Sequence, residues 1–345
     1  MKNCENKICL INVFIGSIPS WMNLFFDSCK WNPQFDFFLF CDHDFEYELP
    51  KNVKVFHLTL MNFITRVNDR LEINVKDLKP YKLCDFRPAY GEIFSDYISN
   101  YMYWGICDTD LIFGNLNTFI TQPKLEKYDK YYSVGHLSFI KNDPEIVTAF
   151  KRKTKNSRDY RKIFSNPNSA IFDECRGFNE SIEESGYRLY KNREACEITT
   201  NFGRVDLISQ YQNSLIQPYS SYKKYYCPKN YRYQVFALYK GHILQIYIRK
   251  GTIGTKEYSY AHKIEFKTPE HIDKDTCAII GKDRLILADD FFERYEQGKL
   301  TKKDFVRYNP LTASELKRIP YYARLILRNM RKKFFPTPEE KEIWI

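Results

Sequence analysis

The chain of 345 residues is long enough to bury one large core, and its 43% hydrophobic content excludes a disordered protein. The formal net charge of +10 favours an anionic partner, such as a membrane surface or a phosphorylated substrate. Because the basic residues form no recognisable module of interleaved basic and aromatic side chains, we predict no nucleic-acid partner.

The ten cysteines are single residues without any Cys-x-x-Cys pair. This usage argues against a disulfide framework and a structural zinc site, and it predicts a reducing compartment, the cytoplasm. The sequence has no apolar run of the length needed to span a bilayer. The apolar run 9–15 lacks a cleavage site of small residues, so we predict a first strand there and no signal peptide.

The first 110 residues alternate predicted strands and helices, which indicates an α/β fold that begins with parallel strands. The pattern predicts strands at 8–14, 35–41, 53–58 and 101–107 and helices at 20–30, 59–71 and 81–98. After residue 110 it becomes mixed, with predicted strands at 131–140 and 284–287, a hairpin of 233–239 and 242–248, and helices at 144–155, 179–184 and 311–335. We therefore expect a mixed central sheet in one domain, residues 1–275, and a C-terminal helical extension, residues 276–345.

Two carboxylates, Asp108 and Asp110, stand at the end of the predicted strand 101–107. Ligands of α/β folds collect beyond the carboxyl ends of the strands, and hard oxygen ligands suit Mn²⁺ or Mg²⁺ carrying a diphosphate. Asp108-Thr109-Asp110 therefore indicates a metal and diphosphate site, with a solvated turn as the alternative. His262, which ends an alternating segment, is a candidate third ligand, and a structural histidine is its alternative.

The turns after the first two predicted strands are candidate donor-binding segments. Ile15-Gly16-Ser17 offers backbone N–H groups to a diphosphate or a base edge, and Asp42 is placed to bind a base or a ribose. The alternatives are a plain strand-to-helix turn and a turn aspartate.

Further charged residues precede and follow the Asp-x-Asp triplet. Lys82 and Arg87 are candidates to balance donor phosphates, and Asp85 to hold sugar hydroxyls; the alternative is an intrahelical pair of Lys82 and Asp85 at i, i+3. Asp173 and Glu174 are candidates to hold acceptor hydroxyls or to act as a base, with helix N-capping by Asp173 as the alternative.

Four segments, in this order and spacing, resemble a bacterial family of GT-A-type glycosyltransferases associated with capsule and other surface polysaccharides. They are YKLCDFRPAYG at 81–91, YWGICDTDLIFGNL at 103–116, GHLSF at 135–139 and FDE at 172–174. The resemblance covers roughly residues 7–265, and its first two segments are the specific ones.

The resemblance implies a Rossmann-like GT-A domain that transfers a sugar from a nucleotide-sugar donor to a glycan acceptor with Mn²⁺ or Mg²⁺. It implies metal and diphosphate binding by Asp108 and Asp110, donor-site roles for Lys82, Asp85 and Arg87, and an acceptor or catalytic role for Asp173. His262 matches the family's Tyr-x-His segment, and we add Thr109 to the donor-binding candidates. In the family, a Tyr-x-His segment is followed by a stretch of basic residues. Here only Lys263 and Lys267 of the residues after His262, up to 267, are basic. Lys263 and Lys267 are therefore the candidates for a phosphate-binding cation. A histidine ligand after the Asp-x-Asp resembles the metal sites of families that retain the configuration of the transferred sugar, so we favour a retaining mechanism. If the enzyme inverts this configuration, Asp173 or Glu174 is the candidate base.

Two other functions fit parts of the sequence. A phosphatase of the haloacid dehalogenase type also carries Asp-x-Asp after a strand, and Ala288-Asp289-Asp290 mimics its second acidic site. However, the nucleophile strand of those enzymes usually opens the fold, whereas three predicted strands precede the strand 101–107 here, and Ile112 stands where those enzymes favour Thr or Val. A non-catalytic basic protein that binds membranes leaves both acidic motifs unexplained.

The segment 312–333 combines seven basic residues with an apolar face, which is typical of a helix on an anionic membrane. We therefore expect a peripheral enzyme on the inner face of the cytoplasmic membrane, with a lipid-linked glycan as its acceptor. The alternative is a helix packed on the catalytic domain.

Overall fold

The computed structural model describes residues 8–45, 48–174, 176–192, 194–201, 204–208, 229–262, 264–267 and 271–310. Within these ranges, no helix has the length and apolar character that crossing a membrane requires. The fold is a mixed α/β arrangement of three sheets.

Sixteen strands are found in the described ranges. They are β1 Ile8–Phe14, β2 Phe35–Cys41, β3 Val53–His57, β4 Tyr103–Cys107, β5 Leu111–Phe113, β6 Lys130–Tyr131, β7 Leu137–Lys141, β8 Leu189–Tyr190, β9 Ala195–Asn201, β10 Arg204–Leu207, β11 Tyr233–Tyr239, β12 His242–Arg249, β13 Thr252–Tyr258, β14 Tyr260–His262, β15 Cys277–Ile280 and β16 Leu285–Leu287.

The helices of the described ranges are mostly short. The α-helices are α1 Met22–Lys30, α2 Leu60–Leu71, α3 Tyr90–Ile93, α4 Ser95–Ile98, α5 Gln122–Leu125, α6 Pro144–Val147, α7 Tyr160–Ser165, α8 Phe178–Glu184 and two later helices, Asp289–Glu296 and Lys302–Tyr308. Three 3₁₀ helices span Pro80–Ala89, Leu116–Thr118 and Ala149–Lys151.

The first sheet has the strand order β3-β2-β1-β4-β7-β6-β8. Strands β3, β2, β1 and β4 are parallel, and β7 pairs with β4 in the antiparallel direction. The chain runs from β1 outward to β3 and then returns to the other side of β1 as β4. The carboxyl ends of β1 and β4 therefore flank a topological switch point, where α/β sheets bind their ligands.

Both faces of the first sheet are buried, which explains why its strands are almost continuously apolar. Along β1, Cys9 and Ile11 pack with α2 and the segment 80–98, whereas Ile8 and Leu10 pack with α1. The strand is thereby held between two apolar layers.

Two smaller sheets extend the fold beyond the first one. Their orders are β10-β9-β14-β5 and β13-β12-β11-β15-β16. Strand β14 pairs with β5 and with β9, so the segment around His262 lies beside the chain that leaves Asp110. The pairing of β15 with β11 carries the third sheet across the predicted boundary at residue 275.

Asn32, just after α1, fixes the chain that follows the Asp-x-Asp. Its amide nitrogen donates to the Gly114 carbonyl at 3.0 Å, and its oxygen accepts from the Leu116 amide at 3.0 Å. The side chain is fully buried, so these bonds are shielded from water and hold the segment after β5 against α1.

The first four strands and the hairpin of β11 and β12 confirm their sequence predictions. The hairpin turns at Lys240 and Gly241, with φ of 50° and 75°. Positive φ at both positions is the geometry of the tight turn that matches strand twist, and glycine adopts it without strain.

Three helix and strand predictions were wrong in detail. Residues 81–98 form a 3₁₀ helix and two short α-helices, because Pro88 lacks the N–H that a continuous α-helix needs. The predicted strand 131–140 is divided between β6 and β7, since Tyr132 takes a left-handed φ of 67°. The predicted helix 144–155 is shortened to α6 and the turn Ala149–Lys151. The predicted helix 311–335 lies outside the described residues.

We predict that Gly105→Ala destabilises the protein by about 2–4 kcal/mol, measured by urea unfolding. A Cβ at this position in β4 would overlap the Ser138 carbonyl and lie 2.7 Å from Leu10 Cδ2, and the backbone cannot give way. The matched control is Gly254→Ala, where the Cβ meets the movable Tyr247 ring at 2.5 Å. Here we expect a loss of about 1 kcal/mol or less; equal losses in both variants would contradict this packing.

Candidate functional site

Three potential metal ligands meet beyond the carboxyl end of β4. Asp108 and Asp110 follow this strand, and the pairing of β14 with β5 places His262 opposite Leu111. One ligand atom from each of Asp108, Asp110 and His262 lies within 4.8 Å of the other two. His262 Nε2 is 3.6 Å from Asp110 Oδ2. The arrangement offers a divalent cation two carboxylates and one imidazole, a donor set that suits Mn²⁺ and allows Mg²⁺.

The ionisation of Asp110 supports this assignment. Burial and, second to it, the Asp108 carboxylate raise the pKa of Asp110 to about 7, while His136 lowers it. Both leading causes disfavour the anionic form. A divalent cation favours that form, so the residues fit a bound metal ion.

Arg87 connects the Asp-x-Asp to the second acidic pair. Its guanidinium bonds the Asp108 carboxylate, and it donates to Asp173 Oδ2 at 3.0 Å and to the Gly135 carbonyl at 3.1 Å. The structure therefore brings together Arg87, Asp108 and Asp173, which lie far apart in the sequence.

Asp173 and Glu174 are held tightly against Gly135. Glu174 Oε1 accepts a hydrogen bond from the Gly135 amide at 2.7 Å, and a Cβ on Gly135 would overlap the Asp173 carboxylate. Burial raises the pKa of Asp173 to about 7 against the lowering effect of Arg87, and Glu174 raises it further. Ile171, two residues before Asp173, has a φ of 53°, which is rare for a β-branched residue and marks local backbone strain.

Helix N-capping by Asp173 is excluded by the local structure. Helix α8 begins at Phe178, and its N-cap is Gly177. The Asp173 carboxylate bonds Arg87 instead.

Lys82 and Asp85 do not join the group around Arg87. They form a buried ion pair of 2.8 Å, as the i, i+3 alternative predicts. Lys82 Nζ also donates to the carbonyls of residues 163 and 168, at 2.8 Å each. Asp85 accepts from the amides of Ala170 and Phe172, at 2.8 Å each. Both charges are buried and bonded within the protein, so the predicted direct contact of Lys82 and Asp85 with the donor is not supported. The pair instead anchors the loop that leads to Asp173.

A cleft of about 270 Å³ lies at the switch point, lined by the ends of β1 and β4 and by the start of the 3₁₀ helix Pro80–Ala89. Arg87 and the predicted donor residue Ile15 are part of its lining. Tyr81 also lines it and is 79% exposed. Asn12 Nδ2 donates to the Cys107 carbonyl at 2.5 Å, whereas its buried Oδ1 has no hydrogen-bond partner in the described structure.

The turn after β1 lies beside Asp42, and the two bond each other. The Gly16 amide donates to Asp42 Oδ1 at 3.2 Å, and Gly16 has the positive φ of 123° that favours glycine. Because the Gly16 N–H already donates to Asp42, it is not available to a diphosphate, contrary to its predicted role. Ser17 is exposed beside it.

Two donor-binding predictions remain. Thr109 is 7% exposed between the two aspartates, so it has little surface to offer a ligand. Lys263 lies outside the described residues, and the alternative cation Lys267 is exposed.

Sequence reasoning missed a buried pair next to His262. His136 Nε2 lies 2.9 Å from Glu197 Oε1, and the His136 ring stacks on the His262 ring. His136 belongs to the segment 135–139, so the histidine beside a glycine was the available signal. Glu197 carried no signal, because it lies 61 positions further along the chain.

Lys130 was also missed, and it ties the segment after β6 to helix α8. Its buried Nζ donates to the Tyr132 carbonyl at 2.8 Å and to Asn179 Oδ1 at 2.9 Å. Asn179 Nδ2 in turn donates to the Ser133 carbonyl at 2.9 Å. Burial lowers the pKa of Lys130 to about 7, although nearby carboxylates, Asp173 first among them, raise it.

We predict that the free energy of unfolding of the wild type, relative to Lys130→Met, rises with pH between about 7 and 10. The folded-state pKa is about 7 and the ordinary value is 10.5. Between them the unfolded chain binds more protons, so stability rises with pH, by up to about 1.4 kcal/mol per pH unit. Urea unfolding of both proteins at several pH values measures the difference in their free energies of unfolding. The contributions of the other titratable groups largely cancel in this difference. A difference independent of pH contradicts the assignment.

Comparison of the chain with curated proteins gives no match. Residues 10–295 match a family of unknown function. This match covers most of the chain, which therefore belongs to the DUF6625 family.

Proposed function

We propose that this protein is a metal-dependent glycosyltransferase of the GT-A type, which moves a sugar from a nucleotide-sugar donor, with UDP favoured, to a glycan acceptor. The observation that supports it best is the meeting of Asp108, Asp110 and His262 beside Arg87 at the switch point of the first sheet. A nucleotide sugar needs a cleft for its nucleoside and cations for its diphosphate. Arg87 lines the cleft and also bonds Asp108, one of the candidate metal ligands.

On the donor side, Asp108, Asp110 and His262 would hold Mn²⁺ or Mg²⁺, which would supply charge neutralisation for the departing diphosphate. Arg87 lines the cleft and bonds Asp108, so its guanidinium is placed to stabilise negative charge as the sugar–phosphate bond breaks. The exposed Tyr81 ring offers a flat surface to the base.

On the acceptor side, we assign the attacking hydroxyl to Asp173 and Glu174. Glu174 is half-buried, whereas Asp173 is 4% exposed and bonded to Arg87, so Asp173 reaches the acceptor only when this ion pair opens. A pKa of about 7 then lets Asp173 exchange a proton with the acceptor near neutral pH. Its ion pair with Arg87 keeps this carboxyl close to the donor phosphates. We favour retention because a histidine stands among the metal ligands, and Asp173 or Glu174 is the base if the reaction inverts.

The acceptor we propose is a lipid-linked glycan of surface polysaccharide biosynthesis. The basic segment 312–333 would hold the enzyme on the inner, anionic face of the cytoplasmic membrane. That segment lies outside the described residues, so this part of the proposal is supported by the sequence alone.

The two alternative functions explain less of the site. The phosphatase alternative needs a second acidic site at Asp290, but this carboxylate bonds Arg307 at 2.5 Å and the Tyr308 hydroxyl at 2.9 Å near the protein surface. A non-catalytic membrane-binding protein has no need for buried acidic groups with a raised pKa, such as Asp110 and Asp173.

We predict that UDP binds the purified protein with a Kd in the range of about 1–100 μM in the presence of Mn²⁺, and at least about tenfold more weakly without it. Isothermal calorimetry measures both values. Asp110→Asn removes a metal ligand and should abolish the metal-dependent part of the binding.

The matched control is Asp290→Asn, which removes an exposed paired carboxylate of the same type and should leave UDP binding unchanged. Absence of UDP, GDP and CDP binding with either metal would reject the glycosyltransferase proposal. Hydrolysis of a generic phosphate ester that is lost in Asp290→Asn would favour the phosphatase instead.

A further inference from the structure

His136 and Glu197 form a buried pair directly behind the candidate metal ligands. Their exposed fractions are 5% and 4%. His136 Nε2 lies 2.9 Å from Glu197 Oε1, and its Nδ1 lies 2.9 Å from the Tyr260 hydroxyl. Both ring nitrogens therefore have protein partners, which fixes the orientation of the ring.

The fixed His136 ring stacks against the His262 ring. Their centroids are 4.0 Å apart, and the angle between the ring planes is 19°. An imidazole binds a metal ion in its own plane, so an ion in the plane of one stacked ring lies well outside the plane of the other. Although His136, Glu197 and His262 also bring ligand atoms within 4.8 Å, the stack prevents the two rings from sharing an ion. His136 is thus suited to support a ligand and not to be one.

Backbone contacts connect the same pair to the remaining metal ligands. The His136 carbonyl accepts a hydrogen bond from the Asp108 amide at 2.9 Å. Glu197 is the register partner of His262 in the parallel pairing of β9 with β14. The pair thereby lies between Asp108 and His262 and touches the chain of both.

On the basis of the proposed metal site, we propose that His136 and Glu197 are positioning residues that hold His262 as a nitrogen ligand, so that the site selects Mn²⁺ over Mg²⁺. Mg²⁺ prefers oxygen ligands and releases its water reluctantly, so it gains little from an imidazole. Mn²⁺ accepts carboxylates and imidazole together. A well-held His262 therefore increases affinity for Mn²⁺ far more than for Mg²⁺.

The test is calorimetric titration of the full chain with Mn²⁺ alone and with Mg²⁺ alone. His136→Gln keeps a polar partner for Glu197 but removes the stacked ring. We expect its affinity for Mn²⁺ to fall about 10–100-fold, the usual effect of losing a residue that orients a ligand, while its affinity for Mg²⁺ changes less than about threefold. His262→Ala should lose the same selectivity.

A rescue variant separates the stacked ring from the buried charge. The double variant His136→Phe with Glu197→Leu restores a flat ring without leaving a buried carboxylate unpaired, so it should recover most of the preference for Mn²⁺. His271→Gln changes a histidine that is 72% exposed and should behave as wild type. If the variants at residue 136 do not fold, as judged by circular dichroism, Glu197→Gln gives a milder test with a smaller loss of Mn²⁺ affinity in the same direction.

Equal losses for both metals in His136→Gln would indicate a merely structural role and overturn the inference. So would a wild type without preference between the metals, or a Glu197→Gln variant that loses affinity for both equally. Failure of the wild type to bind either metal would instead reject the metal site of the proposed function.

Discussion

Four carboxyl groups crowd the carboxyl end of the first sheet, and the cost of burying their charges, increased by their mutual repulsion, is the constraint on which the site depends. Arg87 balances one member of each acidic pair, Asp108 and Asp173. Burial raises the pKa of both Asp110 and Asp173 to about 7, so one guanidinium does not compensate the negative charge of the four carboxyl groups. This uncompensated negative charge is the physical reason for proposing that a divalent cation completes the site.

The remaining structure brings these groups together from distant parts of the chain. The switch point between β1 and β4 opens the cleft, and β14 carries His262 to the segment after Asp110. The buried pair of Lys82 and Asp85 anchors the loop before Asp173, and Lys130 ties the segment after β6 to helix α8. The buried charged groups mainly hold segments of the chain in place, whereas the partly exposed Arg87 lines the cleft.

The sequence predicted the parts of the fold that depend on local pattern. The first four strands and the β11–β12 hairpin follow from apolar runs and turn residues. The division of 131–140 did not, because it depends on the left-handed backbone at Tyr132, which no residue type signals. In the site, the sequence pointed to Asp108, Asp110, Arg87 and Asp173, and the structure brings these four side chains together. The roles of Lys82 and His136 depend on partners about 60 to 85 positions away, which one sequence does not reveal.

The most direct test of this account is the anomalous diffraction of a crystal grown with Mn²⁺ and UDP, recorded at the manganese edge. We predict a single strong peak within bonding distance of Asp108, Asp110 and His262, with the diphosphate between that peak and Arg87. A nucleotide bound elsewhere, or a peak that none of these three side chains reaches, would contradict the account.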